Sequence, residues 1–555
     1  MTETERRQRV ESSSLWSAWA DALGFISEMV DENGLARRIG HSILDTPVPW
    51  RRRVGGRQGV SIELPAGTYS DDTQLRLATS RAITAHGFDM EAFAKIELPV
   101  WPAYALGGGR ASKTAAQSLS KAAHAWFSNT YPGWTQAGGN GAAMRIQPHV
   151  WASPDLDQMG HLADVVRNSI ITHGHPRAIV GAVLHAVTLT IALRDGVVPP
   201  ASRWNEILLD TKRQIRVFEN DRELRTFWVP QWEQHEKRSF ADAWFDAIAE
   251  CERDYVSHLD LFLRLATDGP DSPAQASKNY DAVLTALRLK DPSTRGTGTT
   301  SAIAAHVLAA ALQQHPAHAA LVAARALGSD TDTIGTMAAA LAGAARPAPM
   351  TGELQDASYI REESRRLSMI AARRATRNFT YPDLLKWAAP RSQLGAVVDG
   401  TDGPELAGLG RLSYTSEPAG SGDAEWVWAS LPFGQSVVVK QRIGTTEQNR
   451  SKSIGGRPLP LVHDAHPTPR PTVVESKLAF FDESEEDLLQ TVRPPSRPAP
   501  ETVDVNMLLT MLDPESDESL GAALRRVALS GSLEQVIAFG LGVKPLLEAK
   551  TPPTS

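Results

Sequence analysis

Apolar residues recur at helical spacing over 74–86, 111–125, 159–170, 177–194, 300–313, 317–327 and 334–345, each rich in Ala, Leu, Ile and Val. Gly87, Gly133, Gly174, Pro176, Gly196 and Pro199 punctuate these stretches. Small Ala side chains let helices approach closely, so residues 1–390 read as one mainly α, compact bundle without internal repeats. The pattern changes over 204–270, where Trp204, Phe218, Phe227, Trp228, Trp232, Phe240, Trp244 and Phe245 stand among many charges. Aromatics at this density either line a substrate cap, since flat rings stack on nucleobases, or form the core of an inserted helix pair.

Beyond residue 390 the period shortens. Leu412-Ser413-Tyr414, Trp426-Val427-Trp428 and Ser436-Val437-Val438-Val439 are β-type runs between Gly and Pro turns, predicting a small antiparallel unit over 391–441. Residues 442–503 are rich in Pro, Ser and charge, with the acidic run Asp482-Glu483-Ser484-Glu485-Glu486-Asp487, and read as a linker. The helical tail, 504–555, offers short amphipathic helices at Met507–Leu512, Leu520–Leu529 and Leu533–Phe539. These would dock on the larger domain or bind a partner protein, which makes 391–555 a candidate contact surface.

Composition narrows the class. Hydrophobic residues at 42% and charged residues at 22% are globular values, and 555 residues can bury a full core. A net charge of −7 argues against a generally nucleic-acid-coating or anionic-membrane-binding surface, although it leaves room for a local basic patch. Cys251 is the single cysteine, which excludes an intrachain disulfide and disfavours zinc–thiolate chemistry. No apolar run is expected to reach the ~20 residues of a membrane span. Met1 to Arg9 is polar and charged, unlike a secretory signal, so the expected compartment is the cytoplasm.

The chemistry concentrates in two acidic clusters, Gly67-Thr68-Tyr69-Ser70-Asp71-Asp72-Thr73 and Gly328-Ser329-Asp330-Thr331-Asp332-Thr333-Ile334-Gly335. Each opens a predicted helix, where Ser, Asp and Thr serve as ordinary caps. Adjacent Asp71 and Asp72 exceed what one cap needs, and the clusters repeat one chemistry. Together they supply enough hard oxygen donors for a pair of magnesium-type ions. Gly139-Asn140-Gly141 would let backbone amides approach a phosphate, or is simply a glycine turn. Arg295-Gly296-Thr297-Gly298-Thr299-Thr300 precedes a helix, with Thr299 or Thr300 as the expected cap.

Six stretches occur in an order that resembles the ADP-ribosylglycohydrolase family, the group that includes the dinitrogenase reductase-activating glycohydrolase. They are Ala20-Asp21-Ala22-Leu23-Gly24 with Glu28, the first acidic cluster, Gly139-Asn140-Gly141-Ala142-Ala143-Met144-Arg145 with Pro148, Thr172-His173 after Ser169, the second acidic cluster, and the Ala-rich run ending Ala342-Gly343-Ala344. The resemblance spans about 14–345. It implies an all-α fold and a hydrolase that cleaves the glycosidic bond between ADP-ribose and an acceptor, a protein side chain or a nucleic acid, releasing ADP-ribose. It implies Ser70, Asp71, Asp72, Asp330, Asp332 and Thr333 as ligands of two Mg²⁺ or Mn²⁺ ions, and Glu28 as a mobile acid near them. By the same resemblance Gly139, Asn140, Gly141 and His173 contact substrate. Asp71, Asp72 and Asp330 remain alternatives for the proton acceptor.

Ala20 stands where the family usually has Gly, Ser70 where Thr is usual and Ser329 where Gly is common, and none of these removes an expected ligand. Two other functions fit the same motifs: hydrolysis of a free ADP-ribose-like nucleotide, or a non-catalytic immunity or scaffold protein that binds an ADP-ribosyltransferase.

Overall fold

The computed structural model describes residues 1–443 except 57, 58, 122, 269–272 and 402, and, further on, 508–510, 512, 516–530, 539 and 543. The chain divides into two compact units, Met1–Leu459 and Pro460–Ser555.

The first unit is built on helices α1 (Glu3–Ser27), α2 (Asp71–Arg81), α3 (Arg110–Leu119), α4 (Leu162–Ile170), α5 (Pro176–Asp195), α6 (Gly298–Leu312), α7 (Pro316–Ala324), α8 (Thr331–Ala345) and α9 (Ala357–Ala371). Helix α1 lies along α8 and also packs on α7 and α9, while α5 meets α4, α6 and α8. Helix α1 starts on a capping box in which Thr2 and Glu5 satisfy each other's backbone amides. No apolar stripe announced it, because every residue from Ser12 to Ser27 is buried and serines interrupt the apolar ones. Ser12, Ser13, Ser14 and Ser17 are all buried, and Ser13 Oγ donates to the Ala340 carbonyl at 2.7 Å. Gly343 sits opposite, where a Cβ would come within 2.9 Å of the Ser12 carbonyl oxygen. Small residues at both ends of this contact allow the two backbones to touch.

Helix α5 corrects one expectation. With 20 residues and a mean hydropathy of 1.6 it is long and apolar enough to cross a membrane by length and composition. Its side chains are buried from Ala178 to Leu193, so here it serves as the central helix of the bundle.

The aromatic stretch is packing rather than a cap. Trp204, Phe218, Trp228, Trp232, Phe240 and Trp244 are buried among the helices between Trp204 and Asp268. Phe240 alone stacks at tilted or edge angles on Phe218, Trp228, Trp232 and Trp244. Phe227 and Phe245 are exposed. The insertion holds more helices than a pair, and its Trp232 indole donates to the Gly174 carbonyl at 2.9 Å, bracing the Thr172-His173 turn.

Of the antiparallel sheets in the first unit, two hairpins bear on the site. Strands β1 (Trp50–Val54) and β2 (Val60–Leu64) pair antiparallel beside α1. Farther on, β3 (Ala424–Ser430) and β4 (Ser436–Arg442) pair in register Trp426↔Lys440 and Trp428↔Val438. This hairpin is buried on both faces: Val427, Ala429, Val437 and Val439 join the main core, whereas Trp426 and Val438 pack with Trp50, Ile62 and Leu64. Arg81, the last residue of α2, donates to Gln435 Oε1 at 2.7 Å and to both oxygens of the buried Glu97.

In the second unit the described residues include a helix over Asp517–Ser530, with Leu512, Val527, Phe539 and Val543 in one buried cluster. The linker expected over 442–503 is instead strand β4 at Arg442, and beyond Ile443 it lies outside the described residues, as do Met507 and Met511 of the helix expected at Met507–Leu512 and all of Leu533–Phe539 but Phe539.

Candidate functional site

Both acidic clusters open helices, and the bundle brings those helix starts together. Ser70 is the N-cap of α2; its hydroxyl accepts from the Asp72 amide at 3.2 Å. A second cap comes from α1, where the buried Asp21 accepts from the amides of Ser70 (2.9 Å) and Thr73 (2.8 Å). Asp21 thus satisfies two orphan donors of α2 and fixes where Asp71 and Asp72 start. Ser70 alone among the implied ligands does not line the cavity described below.

The second cluster is set by contact with α1. At Gly24 a Cβ would fall 2.5 Å from the Asp332 Cα and 2.6 Å from the Thr331 carbonyl oxygen. Thr331 Oγ1 donates to the Gly24 carbonyl at 2.8 Å, and Ser27 Oγ to the Ala324 carbonyl at 2.6 Å. Ala20 faces Gly335, where an added Cβ would lie 3.6 Å from the Ala20 Cβ, so Ala is accommodated there without a clash. Glu28 is the residue that ends α1, and Met29 turns the chain through a positive φ of 55°. A carboxylate at a helix C-terminus is opposed by the dipole, and Glu28 is held instead by Arg52 at 3.5 Å.

Glu28, Asp71, Asp72, Asp330, Asp332 and Thr333 line one cavity of about 770 Å³. Glu28, Asp330 and Asp332 each bring a carboxylate oxygen within 4.8 Å of the others. Thr333 Oγ1 lies 3.3 Å from Asp72 Oδ1 and joins this group to the first cluster. Asp72 Oδ2 is buried with no hydrogen-bond partner among the described residues. So many carboxylates cannot all ionise out of water. Burial first, then the neighbouring charges of Glu28 and Asp21, push Asp71 up to about 7. Burial and Glu28 raise Asp330 to about 6 despite a hydrogen bond from Asn140. Burial and carboxylate neighbours also raise Asp72 and Asp332 well above the ordinary carboxylate range. An orphaned carboxylate oxygen within an all-oxygen set is the environment a hard divalent cation satisfies, so the donors fit magnesium or manganese.

The residues expected to contact substrate line the same cavity. Gly139, Asn140, Gly141 and His173 all line it. Asn140 Nδ2 donates to Asp330 Oδ2 at 2.8 Å and to Ser301 Oγ at 3.2 Å. Its backbone amide donates to the Gly296 carbonyl at 2.8 Å, and the Gly298 amide to the Gly138 carbonyl at 3.0 Å. The two glycine loops are therefore zipped together, and the Asn140 amide is already used. The cap of α6 is Thr297; Thr299 and Thr300, the expected caps, lie inside the helix. His173 is buried, and burial lowers it to about 3, so its ring is neutral. Thr172 Oγ1 accepts from Arg145 at 2.7 Å and lies 2.7 Å from His173 Nδ1. A hydroxyl donating to Nδ1 leaves Nε2–H as the donor on the ring's other side.

Several lining residues were not singled out in the sequence. Gly107-Gly108-Gly109-Arg110 leads into α3, whose cap, Gly109, makes no side-chain hydrogen bond, so the first amides of α3 lack a side-chain acceptor from their cap. Lys113 and Arg52 supply positive charge. The signal for the first was in plain view, three glycines before a predicted helix with basic residues in its first turn. Arg52 carried none, because it sits on an unforeseen hairpin.

The family model for ADP-ribosylglycohydrolase matches residues 2–377. Among solved structures, the chain is similar to one titled "ADP-ribosylglycohydrolase-related protein complex", at 19% identity and a TM-score of 0.38, covering 67% of this chain and 100% of that one. No curated protein matches the chain. Residues 2–377 hold every residue of the cavity, and the chain belongs to the ADP-ribosylglycohydrolase family.

Proposed function

We propose that this chain is a binuclear magnesium- or manganese-dependent hydrolase that cleaves the bond between ADP-ribose and an acceptor. The observation that carries it is the junction of the two acidic clusters: Asp72 with an unpartnered buried oxygen, tied through Thr333 to the Glu28, Asp330 and Asp332 group. Asp71, Asp72, Asp330, Asp332, Thr333 and Glu28 would hold the ions. When bound, the ions would orient the ribose hydroxyls and act as Lewis acids.

The protein's own groups account for the rest. Glycosidic cleavage at the ribose passes through an oxocarbenium-like state, so one face of the ribose must receive water and the other must be held. Asp71, Asp72 and Asp330, which face this cavity, are the candidates to take the proton of that water. His173 Nε2–H donates to the nucleotide from beside Gly141. The Gly107–Gly109 loop, the first amides of α3, Arg110 and Lys113 bind the pyrophosphate. Asn140 keeps Asp330 in place.

Release of free ADP-ribose from a panel of arginine-, serine- and nucleic-acid-linked substrates, with each cation and with chelator, tests this function. Metal-dependent release on one linkage supports it and names the acceptor. Release from none, with ADP-ribose still bound, favours a binding protein.

A further inference from the structure

The first acidic cluster is braced from outside the cavity by Asp356, which does not line it. Asp356 is the N-cap of α9, a position where a carboxylate ordinarily accepts from the helix's own first amides. Its side chain makes no such bond, and its backbone stands in the left-handed region at φ 57° and ψ 25°. Asp tolerates that region better than most residues, yet it is held there only where its surroundings require it. The carboxylate serves other partners. Tyr69 Oη donates to Asp356 Oδ2 at 2.7 Å, the Ser436 amide donates to the same oxygen at 2.8 Å, and the Ser436 hydroxyl donates to Oδ1 at 2.8 Å.

The two partners come from places that matter for different reasons. Tyr69 precedes Ser70, the cap of α2, and its ring is buried with Leu15, Ala18 and Ala22 of α1 and Leu77 of α2. Main-chain contact reinforces the tie at this end. The Gln355 amide donates to the Gly67 carbonyl at 3.0 Å, and at Gly67, where φ is +79°, a Cβ would fall 2.6 Å from the Leu354 Cα. Ser436 opens β4, beyond residue 377, where the family match ends. Its neighbour Gln435 reaches the other end of α2, accepting from Arg81 at 2.7 Å. The helix that opens with Asp71 and Asp72 is therefore gripped at its start and at its end by one turn of the chain's own extension, with Asp356 as the bridge at the start.

We propose that Asp356 is an outer positioning residue of the metal site, which carries the seat of the turn before β4 through Tyr69 to Ser70, Asp71 and Asp72. Groups of this kind orient metal ligands without touching the ion. A buried network whose members are all satisfied fixes one arrangement of the elements it joins. The inference rests on the metal-dependent function proposed above, and it gives the β unit after residue 390 a part in holding the first cluster.

The test measures manganese affinity of the full chain by titration calorimetry, beside thermal unfolding of the same samples. Asp356→Gly removes the carboxylate and suits the positive φ, so the backbone can keep its path. It should weaken manganese binding by about tenfold. Tyr69→Phe deletes one oxygen at the other end of the tie and should do the same. The double variant should bind no more weakly than either single one, because both changes cut one path. Asp356→Asn should retain most of the affinity, since Asn also adopts the left-handed conformation and its amide can serve both partners. Ser13→Ala is the control: it loses a buried hydrogen bond to Ala340, outside the cavity, and should lower the melting temperature while leaving manganese affinity unchanged. Wild-type affinity in both Asp356→Gly and Tyr69→Phe, losses that add in the double variant, or an equal loss in Ser13→Ala would overturn the proposal. If Asp356→Gly does not fold, Tyr69→Phe against Ser13→Ala decides the matter. A wild-type chain that binds no manganese would overturn the metal-dependent function and this inference with it, whereas binding blind to the variants overturns this inference alone.

Discussion

Thr333 Oγ1 lies 3.3 Å from Asp72 Oδ1, and this one contact ties two acidic clusters that are 261 residues apart in sequence. Each cluster alone is a helix cap. Joined, they form a wall of carboxylates whose repulsion is relieved by protons or by cations, and the packing of α1 against both helix starts holds them there.

Asp21 is the positioning residue of the first cluster. It does not line the cavity, yet its carboxylate holds the backbone amides of Ser70 and Thr73 on either side of Asp71 and Asp72. Asp21→Asn turns one acceptor oxygen into a donor facing an N–H. Metal affinity should fall about 10- to 100-fold, as for other outer groups that orient metal ligands, and stability by about 0.5–2 kcal/mol, as for a lost cap. Manganese titration and chemical denaturation of the same variant measure the two separately.

Gly24 and Gly343 give a paired control on the α1–α8 contact. Gly24→Ala drives a methyl into the Asp332 backbone, whereas Gly343→Ala meets the Ser12 and Ser13 backbone, away from the cavity. Both should cost about 1–3 kcal/mol by overpacking. Only Gly24→Ala should also weaken divalent-cation binding. Equal metal affinity in the two variants would separate the backbone contact from the site.

Stability should depend on pH in a direction set by the raised carboxylates. Asp71 sits at about 7 and Asp330 at about 6 in the folded chain, against roughly 3.9 for Asp in an unfolded one. Between those values the native state holds protons that the unfolded chain has released. Metal-free stability therefore falls as pH rises from about 4 to about 7. Added magnesium should raise the melting temperature little at about pH 5 and most at about pH 8, because protons and cations compete for the same oxygens. Thermal melts in chelator and in magnesium across that interval check the sign. A chelated protein that gains stability with pH would contradict it.

The β3–β4 hairpin should be indispensable to the catalytic body. Arg81 ends the helix that begins with Asp71 and Asp72, and it is fully buried between Glu97, Tyr359 and Gln435. Glu97→Ala leaves a guanidinium without its carboxylate and should cost about 3–5 kcal/mol. Truncation after residue 390 removes Gln435 and exposes the core partners of Val427, Val437 and Val439, so that fragment should be insoluble or molten. A chain ending at Leu459 should melt cooperatively. Cooperative melting of the 390-residue fragment would show the hairpin to be an appendage.

Much of this was legible in the residues. Ala- and Leu-rich periodicity gave α5, α6, α7 and α8 to within a few positions, because their neighbours are apolar on nearly all sides. Helix α1 escaped because it is buried on all sides from Ser12 to Ser27, with serines interrupting its apolar residues, and the β1–β2 hairpin because a run of arginines masks its alternation. The acidic clusters stood out through adjacent carboxylates that no cap requires. Asp21 lay inside a quoted motif without a role, since its function is to hold amides 49 and 52 residues away.

The most direct test of the central claim is the number of manganese ions the stripped protein binds near pH 7.5, read by electron paramagnetic resonance during titration. Two equivalents with an exchange-coupled signal, reduced to one or none in Asp72→Asn and Asp330→Asn, are predicted for a pair held across the junction of the clusters. A single uncoupled ion, or binding indifferent to both substitutions, would contradict the binuclear site.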